Sequence, residues 1–137
     1  MPKYLLIVDY RPGVIDQPMD EWPPEDVKAH MNYYAAMLAD LRASGELVAN
    51  EALTGPEQAL EVTSDGGPPV VTDGPFAESK EMLAGYQLVD VESEERAIEI
   101  AALISRVPGP GGVPQQQPVG VRRVMDESDF ALLTPEL

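Results

Sequence analysis

The stretch Val70-Val71-Thr72-Asp73-Gly74-Pro75-Phe76-Ala77-Glu78-Ser79-Lys80-Glu81 runs from a β-branched segment through a turn tetrad into one large aromatic residue and a charged segment. Asp73 can accept hydrogen bonds from backbone N–H groups two or three residues on, Gly74 admits positive φ, and Pro75 fixes φ near about −65°. A rigid corner follows. Phe76, one of two phenylalanines in the chain, comes directly after it and has the apolar area to anchor the turn in a core. Asp73 has two readings: a carboxylate that caps the turn, or a pocket-facing carboxylate available for acid–base work.

Upstream, Ala59–Thr63 and Pro69–Thr72 flank Ser64-Asp65-Gly66-Gly67, the pattern of a hairpin that presents the Asp73 corner. Gly55-Pro56 is a loop, and Leu47 to Leu53 alternates loosely as a second strand. Strict period two puts Glu51 on the face of Leu47, Ala49 and Leu53, where it is either a solvated edge residue or a pocket carboxylate in need of a partner. Before that strand, Val27, Met31, Tyr34, Leu38 and Leu41 recur at helical spacing, from Pro23-Pro24-Glu25-Asp26 to a stop at Ser44-Gly45. His30, the one histidine, falls at the edge of that stripe beside Met37. It reads as a partly exposed flank residue or as a catalytic base. Arg11 to Glu21 is irregular, and Tyr4-Leu5-Leu6-Ile7-Val8 is an unbroken apolar run, a strand covered on both faces.

Downstream, Met82 to Val91 is a strand in which Gly85 marks a bulge or a close backbone approach. Ser93 caps a helix whose buried stripe is Ala97, Ile100, Ala101 and Ile104. Residues 108–118 form a Pro/Gly-rich connector expected to be a mobile loop. Val119 to Met125 is the last strand, sending Arg122 and Arg123 to opposite faces. One arginine meets Asp73 or Glu51 in a cleft, or both make surface salt bridges. An acidic tail, 126–137, carries Phe130, Leu132 and Leu133 as docking residues.

The chain has 137 residues, 24 of them acidic and 9 basic, for a formal net charge of −15. One domain over residues 1–125 accommodates that length, and the charge disfavours nucleic acid and anionic membranes. Absence of cysteine removes disulfides and thiolate chemistry and suits the cytoplasm. No signal peptide or membrane span is expected, and neither is a metal or a cofactor, since no fingerprint for one occurs.

The Asp73 run together with Leu83-Ala84-Gly85-Tyr86-Gln87-Leu88 resembles the signature of the DGPF subgroup of the YCII-related proteins. Met1–Val8, Leu47–Leu53, Val119–Val124 and Glu127-Ser128-Asp129-Phe130 are similar to the family as well. The resemblance implies a ferredoxin-like α+β sandwich of the dimeric α/β-barrel type, with two helices on one face of an antiparallel sheet and a second copy on the other. A relative is a dehydrochlorinase of a chlorinated aromatic, which implies lyase-type proton abstraction. Other relatives are encoded beside extracytoplasmic-function sigma factors, which implies a regulatory or interaction module. In the catalytic-looking branches a histidine stands at the place that Tyr34 takes here, one turn after His30. The expectation is a small-molecule pocket with Asp73, His30, Tyr34 and Glu51 as acid–base candidates and Phe76, Arg122, Arg123 and Tyr86 as binding candidates. The partners expected are a second copy of the chain and an unknown small molecule.

Overall fold

A computed structural model describes residues 1–9, 13–15, 17–74 and 83–133. The elements are β1 (Lys3–Asp9), α1 (Pro24–Ala43), β2 (Leu47–Ala52), β3 (Leu60–Thr63), β4 (Val70–Asp73), β5 (Leu83–Asp90), α2 (Glu94–Ser105), β6 (Gly120–Arg123) and α3 (Glu127–Leu133). A four-stranded sheet has the order β2-β5-β1-β6 with every pair antiparallel, and β3 and β4 form a separate two-stranded ribbon. With the ribbon set aside, the chain runs strand, helix, strand, strand, helix, strand. This is the ferredoxin-like α+β arrangement.

Pairing register sorts the sheet into two faces. Tyr4 lies opposite Val89 and Leu6 opposite Gln87, while Leu5 lies opposite Leu88 and Ile7 opposite Tyr86. The first set is inward: Tyr4, Leu6 and Val89 share one core with Met37 and Leu41 of α1 and Ala97, Ile100, Ala101 and Ile104 of α2. Burial of each large aliphatic side chain there contributes about 1.5–3 kcal/mol. Leu5, Ile7, Tyr86 and Leu88 are half-buried on the other face.

Local chemistry sets the helix ends. Pro24 and two acids begin α1, where no backbone N–H is missed and the dipole favours negative charge. Gly45, at φ 81°, ends it, with its N–H on the Arg42 carbonyl at 3.1 Å and the Glu46 N–H on that of Leu41 at 3.0 Å. Ser93 Oγ accepts from the Arg96 N–H at 3.2 Å and starts α2.

Four expectations are corrected. The buried face of α1 runs through His30, Met37 and Leu41, whereas Met31 is exposed; the stripe is rotated because the connector packs on the His30 side. Strict alternation fails in β2: an irregularity between Leu47 and Ala49 pairs Asn50 with Gln87 and Glu51 with Tyr86, so Asn50 shares the face of Leu47 and Glu51, of its two readings, is the exposed edge residue. The connector is ordered: Gln115 N–H bonds the Val107 carbonyl at 3.0 Å, Gln117 N–H that of Ser105 at 3.2 Å, and Gly109 N–H that of Val113 at 2.8 Å. Part of the acidic tail is α3, opened by Asp126 Oδ1 accepting from the Ser128 N–H at 3.0 Å. Its Phe130, Leu132 and Leu133 stay exposed. Among the described residues no helix is long and apolar enough to cross a membrane.

Candidate functional site

A cavity of about 980 Å³ opens where the inner face of the sheet extends past the core, beneath the N-terminal half of α1. Such a volume suits a small organic molecule. The sheet supplies Val8, Asn50 and Gln87, α1 supplies His30, Met31, Tyr34 and Leu38, the segment before α1 supplies Met19 and Trp22, and the connector supplies Gln115 and Gln117. Gly85 keeps the mouth open and the strands close. A Cβ there would meet the Glu51 carbonyl oxygen at 2.9 Å, tighter than a β-carbon tolerates.

His30 is buried, at 7% exposure. Its Nδ1 lies 3.0 Å from the carbonyl oxygen of Pro108. A carbonyl only accepts, so Nδ1 carries the proton and Nε2 is the nitrogen left to the cavity. Aromatic neighbours fix the ring: Trp22 meets it edge-on with centroids 5.5 Å apart, and Tyr34 lies tilted at 5.4 Å. Trp22 is held by its indole N–H, which donates to the Gln17 carbonyl at 3.0 Å. Burial, with Tyr33 adding to it, pushes the Tyr34 hydroxyl above its ordinary pKa, so it stays protonated at neutral pH.

Most of the remaining polar wall is made of amides, with Asp9 and Glu51 beside them. Gln87 Nε2 donates to Asn50 Oδ1 at 2.8 Å, and Gln117 Nε2 donates to the Asp9 carbonyl at 3.0 Å. Gln87 is only 5% exposed, and its Oε1 is buried with no hydrogen-bond partner among the described residues. That is an uncommon condition for a buried acceptor.

Of the residues expected to form a site, the fold brings His30, Tyr34 and Glu51 to this cavity, Glu51 as an exposed member of β2 at its edge. Asp73 does not line it; it pairs with Leu60 at the end of the exposed ribbon. Tyr86 pairs with Ile7 and Glu51 on the outer face, and Arg122 opposes Leu5 there. Arg123 makes a two-point contact with Asp129, at 2.6 and 2.7 Å, so it meets a carboxylate of α3. That contact holds the Asp129 carboxyl well below the usual carboxylate range. Phe76 lies outside the described residues. Trp22, Asn50, Gln87, Gln115 and Gln117 escape sequence reasoning, although Gln87 carries a signal: it is a polar residue at an inward position of a central strand, between Gly85 and Val89.

Among the described residues no three of His, Cys, Asp and Glu are grouped to hold a metal ion. A smaller cavity, about 330 Å³, lies along α1 and α2 and includes Glu46 and Arg96. Its one cation is engaged: Arg96 donates to both Glu46 carboxylate oxygens at 2.8 and 2.9 Å and to Glu99 at 3.0 Å.

The family model of the YCII-related domain matches residues 2–113. An uncharacterised protein of Rhizobium meliloti (strain 1021) is 28% identical over 100 residues, covering 73% of this chain and 81% of the relative. The chain belongs to the YCII-related family.

Proposed function

We propose that this YCII-related chain binds a small organic molecule in the cavity beneath α1 and transforms it by acid–base chemistry with His30 as the proton acceptor. The carrying observation is the buried imidazole. Its Nδ1–H is engaged by the Pro108 carbonyl, which leaves Nε2 as the ring nitrogen to take a proton from a ligand. Tyr34, kept protonated by burial, is suited to donate to an oxygen on which negative charge develops. Lyase-type proton abstraction fits this pair: the imidazole takes a proton from carbon, the C–H electron pair moves onto the adjacent carbonyl oxygen that the phenol holds, and its return forms the C=C bond as a leaving group departs from the β-carbon with the electrons of its own bond. A cytoplasmic setting accords with the lack of cysteine.

Native mass spectrometry of protein purified by gentle lysis tests the reading. A reproducible bound mass is expected, retained in Asp73→Asn and reduced about tenfold in occupancy by His30→Gln, in line with one lost hydrogen bond to a buried group. An empty cavity, or a mass that depends on Asp73 and not on His30, overturns it. The same spectrum reports subunit count. A homodimer is proposed through the outer face of the sheet, where Leu5, Ile7, Tyr86 and Leu88 lie beyond the reach of the helices. A monomer at micromolar concentration would remove that part.

A second reading, an interaction module of the DGPF subgroup working beside an extracytoplasmic-function sigma factor, is favoured by one observation. The β3–β4 ribbon exposes Leu60, Val62, Val70 and Val71, each more than half accessible, and such patches mark contact surfaces. On that reading Val62→Glu abolishes binding of a sigma factor in a pull-down and leaves any cavity ligand in place.

A further inference from the structure

The carbonyl that fixes the His30 ring belongs to the connector, so the seating of the connector on α1 decides which ring nitrogen faces the cavity. Some of the connector's hydrogen bonds are internal. Gly109 N–H bonds the Val113 carbonyl at 2.8 Å, Gly112 N–H that of Gly109 at 3.0 Å, and Gln115 N–H that of Val107 at 3.0 Å. These bonds set the shape of the loop. Its far limb is fastened elsewhere, by the Gln117 N–H on the Ser105 carbonyl of α2 at 3.2 Å and by the Val14 N–H on the Gln115 carbonyl at 2.9 Å. Gly111 and Gly112, at the tip, take left-handed φ of 69° and 77°, which glycine adopts without steric cost.

The tip meets α1 through two side chains one helical turn apart. Asp26 and His30 stand at i and i+4, on one face of the helix. His30 Nδ1–H donates to the Pro108 carbonyl at 3.0 Å, and Asp26 Oδ2 accepts from the Gly111 N–H at 3.2 Å. One donor and one acceptor of the helix thus grip one acceptor and one donor of the loop. An imidazole whose Nδ1 loses its acceptor is free to carry its proton on Nε2 instead. That tautomer presents a donor to the cavity and accepts no proton there.

We propose that Asp26 is a positioning residue for His30: its carboxylate holds Gly111, and with it the Pro108 carbonyl, so that the imidazole keeps its proton on Nδ1 and Nε2 stays the proton acceptor. The assignment rests on His30 being the acid–base residue of the cavity, and it adds a carboxylate from outside the cavity lining. Gln115 and Gln117, which do line the cavity, lie on the same loop. The grip therefore holds a wall of the cavity as well as a tautomer. Asp26 also has a plainer role, because negative charge in the first turn of α1 is favoured by the helix dipole. Two substitutions separate the roles. Asp26→Asn loses the charge and keeps an oxygen that accepts from the Gly111 N–H, whereas Asp26→Ala loses both.

His30 is the one histidine, so ¹⁵N-histidine labelling of the full chain gives a single pair of ring signals, whose shifts report the tautomer. Spectra are recorded at about pH 8.5, roughly two units above the ordinary imidazole pKa. The wild type is expected to be mainly the Nδ1–H form. Asp26→Ala is expected to lower the ratio of Nδ1–H to Nε2–H about fivefold, the factor that one net hydrogen bond represents, and Asp26→Asn to change it less than about twofold. A carboxylate that served the helix dipole alone would lower the urea midpoint of both variants alike and move the tautomer of neither. Slow hydrogen exchange of the Gly111 amide in the wild type is the second expectation, and it does not depend on either variant folding. A ratio that falls less than about twofold in Asp26→Ala, an Asp26→Asn ring that matches Asp26→Ala, or a Gly111 amide that exchanges without protection overturns the role of Asp26 and leaves His30 as the base. A wild-type ring protonated on Nε2 overturns the reading of His30, and the role of Asp26 falls with it.

Discussion

The connector from Val107 to Pro118 and the ribbon from Leu60 to Asp73 are two additions to one four-stranded frame, and their compositions suggest the reverse of what they do. The connector is rich in proline, glycine and glutamine, yet it is laid against α1 and against the segment around Gly13, with Val14 N–H on the Gln115 carbonyl at 2.9 Å and Gly111 N–H on Asp26 at 3.2 Å. The ribbon has β-branched strands and a well-formed tip, where Ser64 Oγ accepts from the Gly66 N–H at 3.1 Å, yet its apolar side chains are exposed. Order follows from where backbone polar groups find partners, and burial follows from what the strands can pack on. The connector meets both conditions and becomes a wall of the cavity; the ribbon meets only the first.

The largest expected effect is at Gly13, where an added Cβ would collide with the backbone carbonyl of Gln115. Gly13→Ala is expected to destabilise the chain by about 3 kcal/mol, the upper end for overpacking against backbone that cannot yield, read as a lowered midpoint in urea. Val107→Ala comes next. Val107 is 1% exposed at the entry to the connector, so removing two buried methyl groups is expected to cost about 2 kcal/mol. A change below about 0.5 kcal/mol in either variant would mean that the connector does not dock, and the comparison with the ribbon would collapse.

Much of the frame was legible in the sequence. Proline and acids before Val27, Gly45 at the end of the helix, Ser93 before two glutamates and Ser64–Gly67 between β-branched runs each fix a boundary by local chemistry, and those boundaries stand within one or two residues. The site was only half legible. His30 and Tyr34 were visible as residue types with chemistry, but the burial of His30 depends on Pro108, 78 residues away, and no local pattern encodes that contact. Strict alternation puts Glu51 on the face of Leu47 and leaves it as either an edge residue or a pocket carboxylate; an irregularity at Val48, which no alternation pattern reveals, turns it to the other face as an exposed edge residue. The amides of the connector were hidden by their own composition: in Gln115-Gln116-Gln117 the outer two line the cavity and Gln116 takes a left-handed φ of 55°.

The opposite end of the sheet from the cavity sharpens the comparison, because there charge replaces the neutral contacts of the connector. Glu46, at the start of β2, accepts two hydrogen bonds from Arg96 of α2. Arg96 first, and Ser44 after the smaller opposing cost of desolvation, hold its carboxyl below the ordinary glutamate value. A depressed carboxylate pKa contributes stability that is complete above the unfolded pKa, about 4.3, and is lost as pH falls through the folded value. Glu46→Gln is therefore expected to cost about 1 kcal/mol near pH 7. The gap to the wild type should close as pH falls below about 4.3. A gap of constant size down to pH 2 would show that the pair acts through packing alone.

The smallest effect belongs to the ribbon. Val70 is 61% exposed, and in an isolated chain Val70→Ala removes little that is buried, so its cost should stay within about 0.5 kcal/mol. What makes this small number informative is its dependence on concentration. If the exposed valines are a contact surface between copies, stability acquires a mass-action component, and the cost of Val70→Ala rises with protein concentration in parallel with the fraction associated. If the cost stays flat from micromolar to millimolar protein, the ribbon is no self-contact, and its apolar face is left for a different macromolecule or for none. Val107→Ala serves as the internal standard, because a buried connector residue loses the same packing at every concentration.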